Sequence, residues 1–465
     1  MNNSIPPELD LCEICILLVN GIELNSSHYH SITKAQNLAD TPNTTDPTLY
    51  CPLCLGLFLQ APAFYTSICS EINALSYETI DFSLNLSLPS VYLLRTKAIS
   101  EFLIHNSSLN PADLDIKKAL KYFIEQASIN SDTFKVLQTS TVNVTLDIIH
   151  PETQSDNDFL KNSSNFKAKS YYDKTKKKRI HITESKDSIK KSVLNVTVDS
   201  LKLAGFYPPK KVTTVPTINS IEIKRNSLFY GGRYLKLARG ISQTPFIVNN
   251  VRLAENSVSE IIADPLADLL KAERYNFVGS GREDADVRML GNGRPFYIEF
   301  INCKNSFVDA KVIESVMNEI NTSKMVNVKK LQQVSEEHTK IIRQGETEKS
   351  KSYSCLVIVP ELIKTDLMDK LNLPTNPPIK IFQNTPIRVL HRRAPLVRER
   401  KILKLNIEHL GQNFYKLVVS TEAGTYIKEF VHGDMGRTTP SFSDIIGMQA
   451  EILELDVLDV DLQFP

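Results

Sequence analysis

The stretch "GSGREDADVRMLGNGRPF", Gly279–Phe296, places three acids, three arginines and four glycines in eighteen residues, with apolar segments on both sides. Glycine pairs hinge it at each end, and "FYIEF" after it reads as a strand. A carboxylate flanked by arginine on such a loop can be kept ionised by its neighbours, and an ionised carboxylate serves as nucleophile or base without a cofactor. A charged hairpin tip would look the same. The rest of the chain has to separate the two.

At 465 residues the chain exceeds one ordinary core, which predicts two or three domains. Hydrophobic content of 42% and charged content of 23% belong to a soluble globular protein. No apolar run reaches the roughly 18 residues of a membrane span. The start, "MNNSIPPELDLCEIC", lacks the basic opening and cleavage site of a secretory signal. The expectation is a monomer of the nucleus or cytoplasm, away from membranes, whose seven cysteines are thiols or metal ligands.

A net charge of +1 names no partner, but the charge is segregated. Lys161–Lys191 holds eleven Lys/Arg against three acids, and Arg388–Lys404 seven against one. Lys224–Arg239 has five and no acid, with aromatics between them. Basic segments within a neutral protein suit a polyanion surface, and interleaved aromatics suit an RNA strand. Solvated loops, or an ordinary strand–turn–strand within "KRNSLFYGGRYLKLARGISQTPF", are the alternatives.

Two C-x₂-C pairs, Cys12/Cys15 and Cys51/Cys54, form a frame for structural zinc, and four thiolates would leave no open position for catalysis. The insert between them reads largely as loop. Cys69, Cys303 and Cys355 stand singly in apolar surroundings, as core thiols do. "FSLNLSL" and "VNVTLDIIH" alternate as strands, Asp115–Ile129 has helical spacing, and "SVLNVTVDS" is expected to be a further strand. Beyond the Pro-rich "YPPKKVTTVPTI", helices are expected at "VSEIIADPLADLLKAERY" and over roughly 308–343. Strands are expected at "FYIEFIN", "YSCLVIV", "IKIFQ", "FYKLVVST" and "EILELDVLDVDL". This predicts an α+β chain whose second half carries a mixed, largely antiparallel sheet. The modules are set at 1–80, 81–222 and 223–465.

There is no P-loop, dinucleotide fingerprint, G-x-S-x-G or H-E-x-x-H. Instead, Gly281-Arg282-Glu283-Asp284 resembles the motif of pseudouridine synthases, in which the catalytic Asp follows Gly-Arg and one further residue. The longer "SGREDADVRMLGNGRPF", with "NSLFYGGRYLKLARG", "TPIRVLHRRAPLVRERKI" and "AGTYIKEFVHGDMGRTTPS", resembles the Pus10 family in particular. The segment between the cysteine pairs is short for that family.

The resemblance implies conversion of uridine to pseudouridine in the T-loop of tRNA, at the positions conventionally numbered 54 and 55, with other RNAs open and no catalytic cofactor. It implies a zinc-bearing accessory domain containing a THUMP RNA-binding fold. Asp284 would be the essential carboxylate, acting at C6, C1′ or C2′. Tyr353, in a Lys-x-Tyr strand, would stack on the extruded uracil. Lys428, where many relatives have Arg, would pair with Asp284, and Arg282 would hold the nucleotide. Taken singly, Tyr353 suits a strand core, Lys428 a surface and Arg282 a hairpin pair with Glu283. Asp286 in "DADVRML" is expected to share a strand face with Asp284, deeper along it. Arg233, Lys236, Arg392, Arg393 and Arg398, with the basic loop at 174–179, are the candidate RNA contacts. An RNA-binding or chaperone protein with a vestigial pocket is the alternative, and a zinc-containing scaffold for protein partners a third.

Overall fold

The computed structural model describes the chain except residues 1–4, 32–48, 108, 110, 112–113, 162–168, 174–177, 183–185, 249, 253, 375–376, 392 and 465. It divides into two compact units, Met1–Arg225 and Asn226–Pro465.

The strands of the first unit are β1 (Asp81–Ser87), β2 (Lys135–Leu137), β3 (Val142–Ile149), β4 (Lys169–Asp173), β5 (Lys178–Ile182) and β6 (Thr217–Arg225). Four of them form a sheet in the order β2-β1-β3-β6, with β1 parallel to both neighbours and β6 antiparallel to β3. β4 and β5 pair as a separate hairpin. The alternation in "VNVTLDII" does what it promises: Val142, Val144, Leu146 and Ile148 are buried and the residues between them are not. The Asp115 side chain accepts from Lys118 N at 2.9 Å and so starts helix Ile116–Ile129. Cys15, Cys51 and Cys54 lie in one core with Leu84, Phe123 and Val144. Residues on both sides of position 80 therefore share that core.

"SVLNVTVDS" is not a strand. It holds the end of helix Lys186–Leu194 and the first half of helix Val198–Leu203. The Thr197 side chain accepts from Ser200 N, a cap that outweighs the β-branched composition.

The second unit contains β7 (Leu228–Lys236), β8 (Ile247–Val248), β9 (Val251–Arg252), β10 (Arg274–Gly279), β11 (Arg288–Ile301) and β12 (Val326–Val334). After them come β13 (Lys351–Ile358), β14 (Ile379–Asn384), β15 (Val397–Gly411), β16 (Phe414–Thr421), β17 (Thr438–Thr439) and β18 (Glu451–Val460). Ten of these form one sheet, in the order β12-β7-β11-β18-β13-β16-β15-β14-β17 with β10 also on β11. Only β11 and β18 run parallel, so the sheet is mixed and largely antiparallel.

One expectation changes here. The helical stretch expected over 308–343 is helix Ala310–Thr322, strand β12 and helix Glu336–Glu348. The Asn321 side chain exchanges two hydrogen bonds with the Val328 backbone, and Lys324 turns with φ 55°, which ends the helix. β12 then buries Val326 and Val328 and leaves lysines and glutamines outward along an edge strand, a pattern easily mistaken for a polar helix. "LFYGGRYLK" is one strand. Its glycines admit close neighbours: a Cβ on Gly231 would sit 2.8 Å from the Phe464 ring, and one on Gly232 3.0 Å from Lys329 O.

Candidate active site

The loop Gly281–Val287 leaves β10 and enters β11, and Asp284 sits in it rather than on a strand. Gly281 has φ +84°, a conformation that favours glycine. The loop is tied down from beneath. Lys236 Nζ, fully buried, donates to Asp284 O at 2.9 Å, Ala285 O at 3.2 Å and Ile241 O at 2.7 Å. Gln243 Nε2 donates to Gly281 O at 2.9 Å, and Arg239 Nη1 to Asp286 O at 2.7 Å. Glu283 points inward, where its Oε2 accepts from Arg294 Nε at 2.9 Å and its carboxylate accepts from Tyr234 OH at 3.0 Å. Both members of the Glu283–Arg294 pair are almost wholly buried. The expected alternative pairing of Glu283 with Arg282 does not occur, and Arg282 is exposed at the cavity mouth.

With Glu283 facing in, Asp284 faces out. It borders a cavity of about 390 Å³ lined also by Arg282, Lys351, Tyr353, Arg388 and Lys428. Four segments distant in sequence meet there: the loop, β13, the turn before β15 and the start of helix Ile427–His432. Arg388 Nη1 donates to Asp284 Oδ2 at 2.8 Å. Its Nε donates to Glu429 Oε1 at 2.7 Å, and Glu429 is buried. Lys428 Nζ is 3.6 Å from Asp284 Oδ2 and 2.7 Å from Asp286 Oδ2. The lysine expected to pair with Asp284 thus bonds more closely to Asp286. Asp286 is not deeper in a strand but further out, 66% exposed against 37% for Asp284. Burial opposes its charge, yet Lys428 holds its carboxyl below the usual range.

Gln383, fully buried on β14, donates to Tyr426 O and accepts from Tyr426 N, both at 2.9 Å, and so fixes the turn that presents Lys428. Tyr353 lies on β13 with Val457 of β18 as its cross-strand neighbour. Burial pushes its hydroxyl up to about 12, and among the described residues that hydroxyl has no protein hydrogen-bond partner. It is a protonated donor at the cavity wall.

The RNA-contact candidates divide. Arg233 is buried, and its guanidinium clamps the carbonyls of Asn292, Gly293, Leu462 and Phe464. Lys236 holds the loop. Neither is available to a phosphate. Arg393 lines the cavity mouth and is exposed, whereas Arg398 is partly exposed and donates to Thr385 Oγ1 at 2.8 Å. Arg392 and residues 174–177 of the basic loop lie outside the described residues. Arg388 was legible only as one charge in a basic run, and no spacing singled it out.

In the first unit the Sγ atoms of Cys12, Cys15, Cys51 and Cys54 lie within 4.8 Å of one another, and Cys12 Sγ is 3.7 Å from Cys54 Sγ. Thiolates around a tetrahedral zinc at about 2.3 Å stand about 3.8 Å apart, so the donor set fits that ion. Burial pushes the Cys15 thiol well up, a cost that a bound dication would reverse.

The chain matches the family model "Pus10, C-terminal" over residues 229–461 and "Eukaryotic Pus10, N-terminal" over 51–223. It is 35% identical to the tRNA pseudouridine synthase Pus10 of Xenopus laevis over 431 residues, covering 89% of this chain and 81% of that one. With the Homo sapiens protein of the same name it shares 34% over 462 residues, covering 96% and 85%. A solved Cbf5-Nop10-Gar1 complex is similar at 15% identity and TM-score 0.27, over 49% of this chain and 48% of that one. The two family models cover the cavity residues and, of the four clustered cysteines, Cys51 and Cys54; the chain belongs to the Pus10 family of tRNA pseudouridine synthases, and it is an isomerase.

Proposed function

We propose that this chain converts uridine to pseudouridine in the T-loop of tRNA, at one or both of the uridines named above, with Asp284 as the essential carboxylate. The observation that carries this is the setting of Asp284: a carboxylate turned out of a rigid loop into a cavity, bonded to Arg388 and adjoining Lys428 and Tyr353.

A uridine within a folded loop is out of reach until it is extruded, and extrusion costs a few kcal/mol of stacking. Arg282 and Arg393 at the mouth supply phosphate contacts that offset it. Inside, the Tyr353 ring takes one face of the uracil. Arg388 and Lys428 keep Asp284 charged and aimed while it acts at C1′, C6 or C2′. The glycosidic C1′–N1 bond breaks, the base turns, and C5 bonds to C1′. The first unit, with its basic run and its four cysteines around a structural zinc, serves as the RNA-binding accessory domain of THUMP type. The protein works as a monomer in the nucleus or cytoplasm.

Asp284→Asn tests the assignment. The amide keeps size and polarity but is neither nucleophile nor base, so pseudouridine formation in a tRNA transcript should fall on the order of 10⁴-fold with RNA affinity retained. A variant that still converts uridine at a comparable rate would show that the carboxylate is not essential.

A further inference from the structure

Lys351 is a buried cation that the site described so far does not use. It lies on β13 two residues before Tyr353, so the two side chains leave the strand on one face. Both line the cavity with Asp284, and Lys351 is only 6% exposed. Its ammonium donates to Lys349 O at 3.0 Å and to Glu346 O at 3.5 Å. Among the described residues no carboxylate lies within ion-pair distance of it. An ammonium has three donors, so one N–H remains for the cavity.

Arg294 from β11 and Glu346 from helix Glu336–Glu348 act on its charge, and the other charged or titratable groups that line the cavity are Arg282, Glu283 and Asp284 from the loop, with Tyr353, Arg388, Arg393 and Lys428. Glu283 is already committed to Arg294. Across the strands its partners are Thr421 and Val460, which carry no charge. The loop passes close by, since a Cβ on Gly281 would lie 3.6 Å from Lys351 Cε. A buried cation whose only opposing influence is the Glu346 carboxylate, beyond ion-pair distance, is costly, and perturbed charges of this kind cluster at functional sites.

We propose that Lys351 is a catalytic residue: it donates a hydrogen bond to a carbonyl oxygen of the extruded uracil and stabilises the anion formed as the glycosidic bond breaks. This rests on the pseudouridine-synthase function proposed above. For attack of Asp284 at C1′, the C1′–N1 electron pair leaves with the base and spreads over N1, O2 and O4, while C1′ becomes bonded to Asp284. C5 then displaces the carboxylate from C1′ and forms the C–C bond. The proton on C5 is removed and N1 gains one, so the product is an isomer with no oxidant or reductant consumed. A fixed N–H aimed at the developing oxyanion strengthens as charge moves onto it, without reorganisation.

The test uses the full chain and a tRNA transcript, with single-turnover rates at saturating enzyme and RNA affinity measured separately from about pH 6 to 10. Burial, aided by Arg294, brings the Lys351 ammonium down to about 8. The cation is the active form, so the rate is full below that pH and lost above it. Lys351→Met should lose about 100-fold in rate and lose the alkaline limb, with RNA affinity within about twofold. Lys351→Arg keeps the charge and should retain at least about a tenth of the rate, with no alkaline limb below pH 10. Lys351 also caps the end of helix Glu336–Glu348, and loss of that cap alone would leave the pH profile unchanged in shape. Should Lys351→Met fail to fold, Lys351→Arg decides: an alkaline limb unmoved from wild type overturns the proposal. A fully active Lys351→Met overturns it alone, whereas a wild-type chain that makes no pseudouridine overturns the proposed function as well.

Discussion

Arg388 bonds to Asp284 at 2.8 Å with one nitrogen and to buried Glu429 at 2.7 Å with another, so one guanidinium anchors the carboxylate to the helix that carries Lys428. Lys428, 3.6 Å from Asp284, is the second cation and not the first. A planar guanidinium presents separate N–H groups in fixed directions to its two carboxylates, a geometry that a lysine ammonium at the same position does not reproduce. Arg388→Ala should therefore cost about 10- to 100-fold in single-turnover rate, the worth of one hydrogen bond to a charged group. Arg388→Lys should recover only part of it. Asp286→Asn should stay near wild type, because it removes only the competing partner of Lys428. A wild-type rate for Arg388→Ala would show that Lys428 alone suffices.

The Glu283–Arg294 pair predicts a large loss of stability from single substitutions and a smaller one from the double. Glu283→Ala leaves a buried guanidinium uncompensated and Arg294→Met a buried carboxylate, each at about 3–5 kcal/mol. Removing both charges together should cost less than the sum. Urea unfolding of the three variants gives the coupling. Additive losses would mean that the two side chains do not act as a pair.

What was legible in the sequence was local. The alternation that buries Val142, Val144, Leu146 and Ile148 and the helical spacing over Asp115–Ile129 are nearest-neighbour physics, and both are read correctly. β12 was lost because an edge strand with one buried face and outward lysines has no signature of its own. What demands glycine in β7 is far off in sequence: the Phe464 ring at Gly231, more than two hundred residues away, and Lys329 O at Gly232. The motifs single out Asp284, Tyr353 and Lys428, which line one cavity, but the order of the ion pairs of Asp284 depends on Arg388, whose position in the cavity is set by tertiary packing. Glu283 and Asp284 are adjacent acids, and buried Arg294 and Tyr234 hold the first inward while Arg388 holds the second at the cavity.

Metal removal tests the cysteine cluster. Purified protein should carry about one equivalent of zinc, and changing Cys12 and Cys15, or Cys51 and Cys54, to serine should release it. Because three of these cysteines lie in the core shared with β1 and β3, the loss should lower the melting temperature of the whole first unit. Rates on a short RNA that engages only the cavity should be unaffected. Elemental analysis showing native protein free of zinc would exclude the site.

Arg233 separates a structural arginine from an RNA-binding one. It is among the basic residues of "FYGGRYLKLARG", the kind of segment that suggests phosphate contacts, yet all its described bonds go to main-chain carbonyls. The carbonyls of Leu462 and Phe464 lie beyond β18, and Leu462 and Phe464 pack on Gly345 and Gly231. Arg233→Met should strip those carbonyls of a donor inside the protein, at about 1–3 kcal/mol, and lower the midpoint of unfolding. It should leave the dependence of tRNA affinity on salt unchanged, since that slope counts phosphates neutralised and Arg233 neutralises none. Arg393→Ala, at the exposed mouth, should do the reverse: stability unchanged, and a slope shallower by about one unit. Binding titrations of both variants against salt give the two slopes directly. A reduced slope for Arg233→Met, with stability intact, would put Arg233 on the RNA and break the clamp assigned to it.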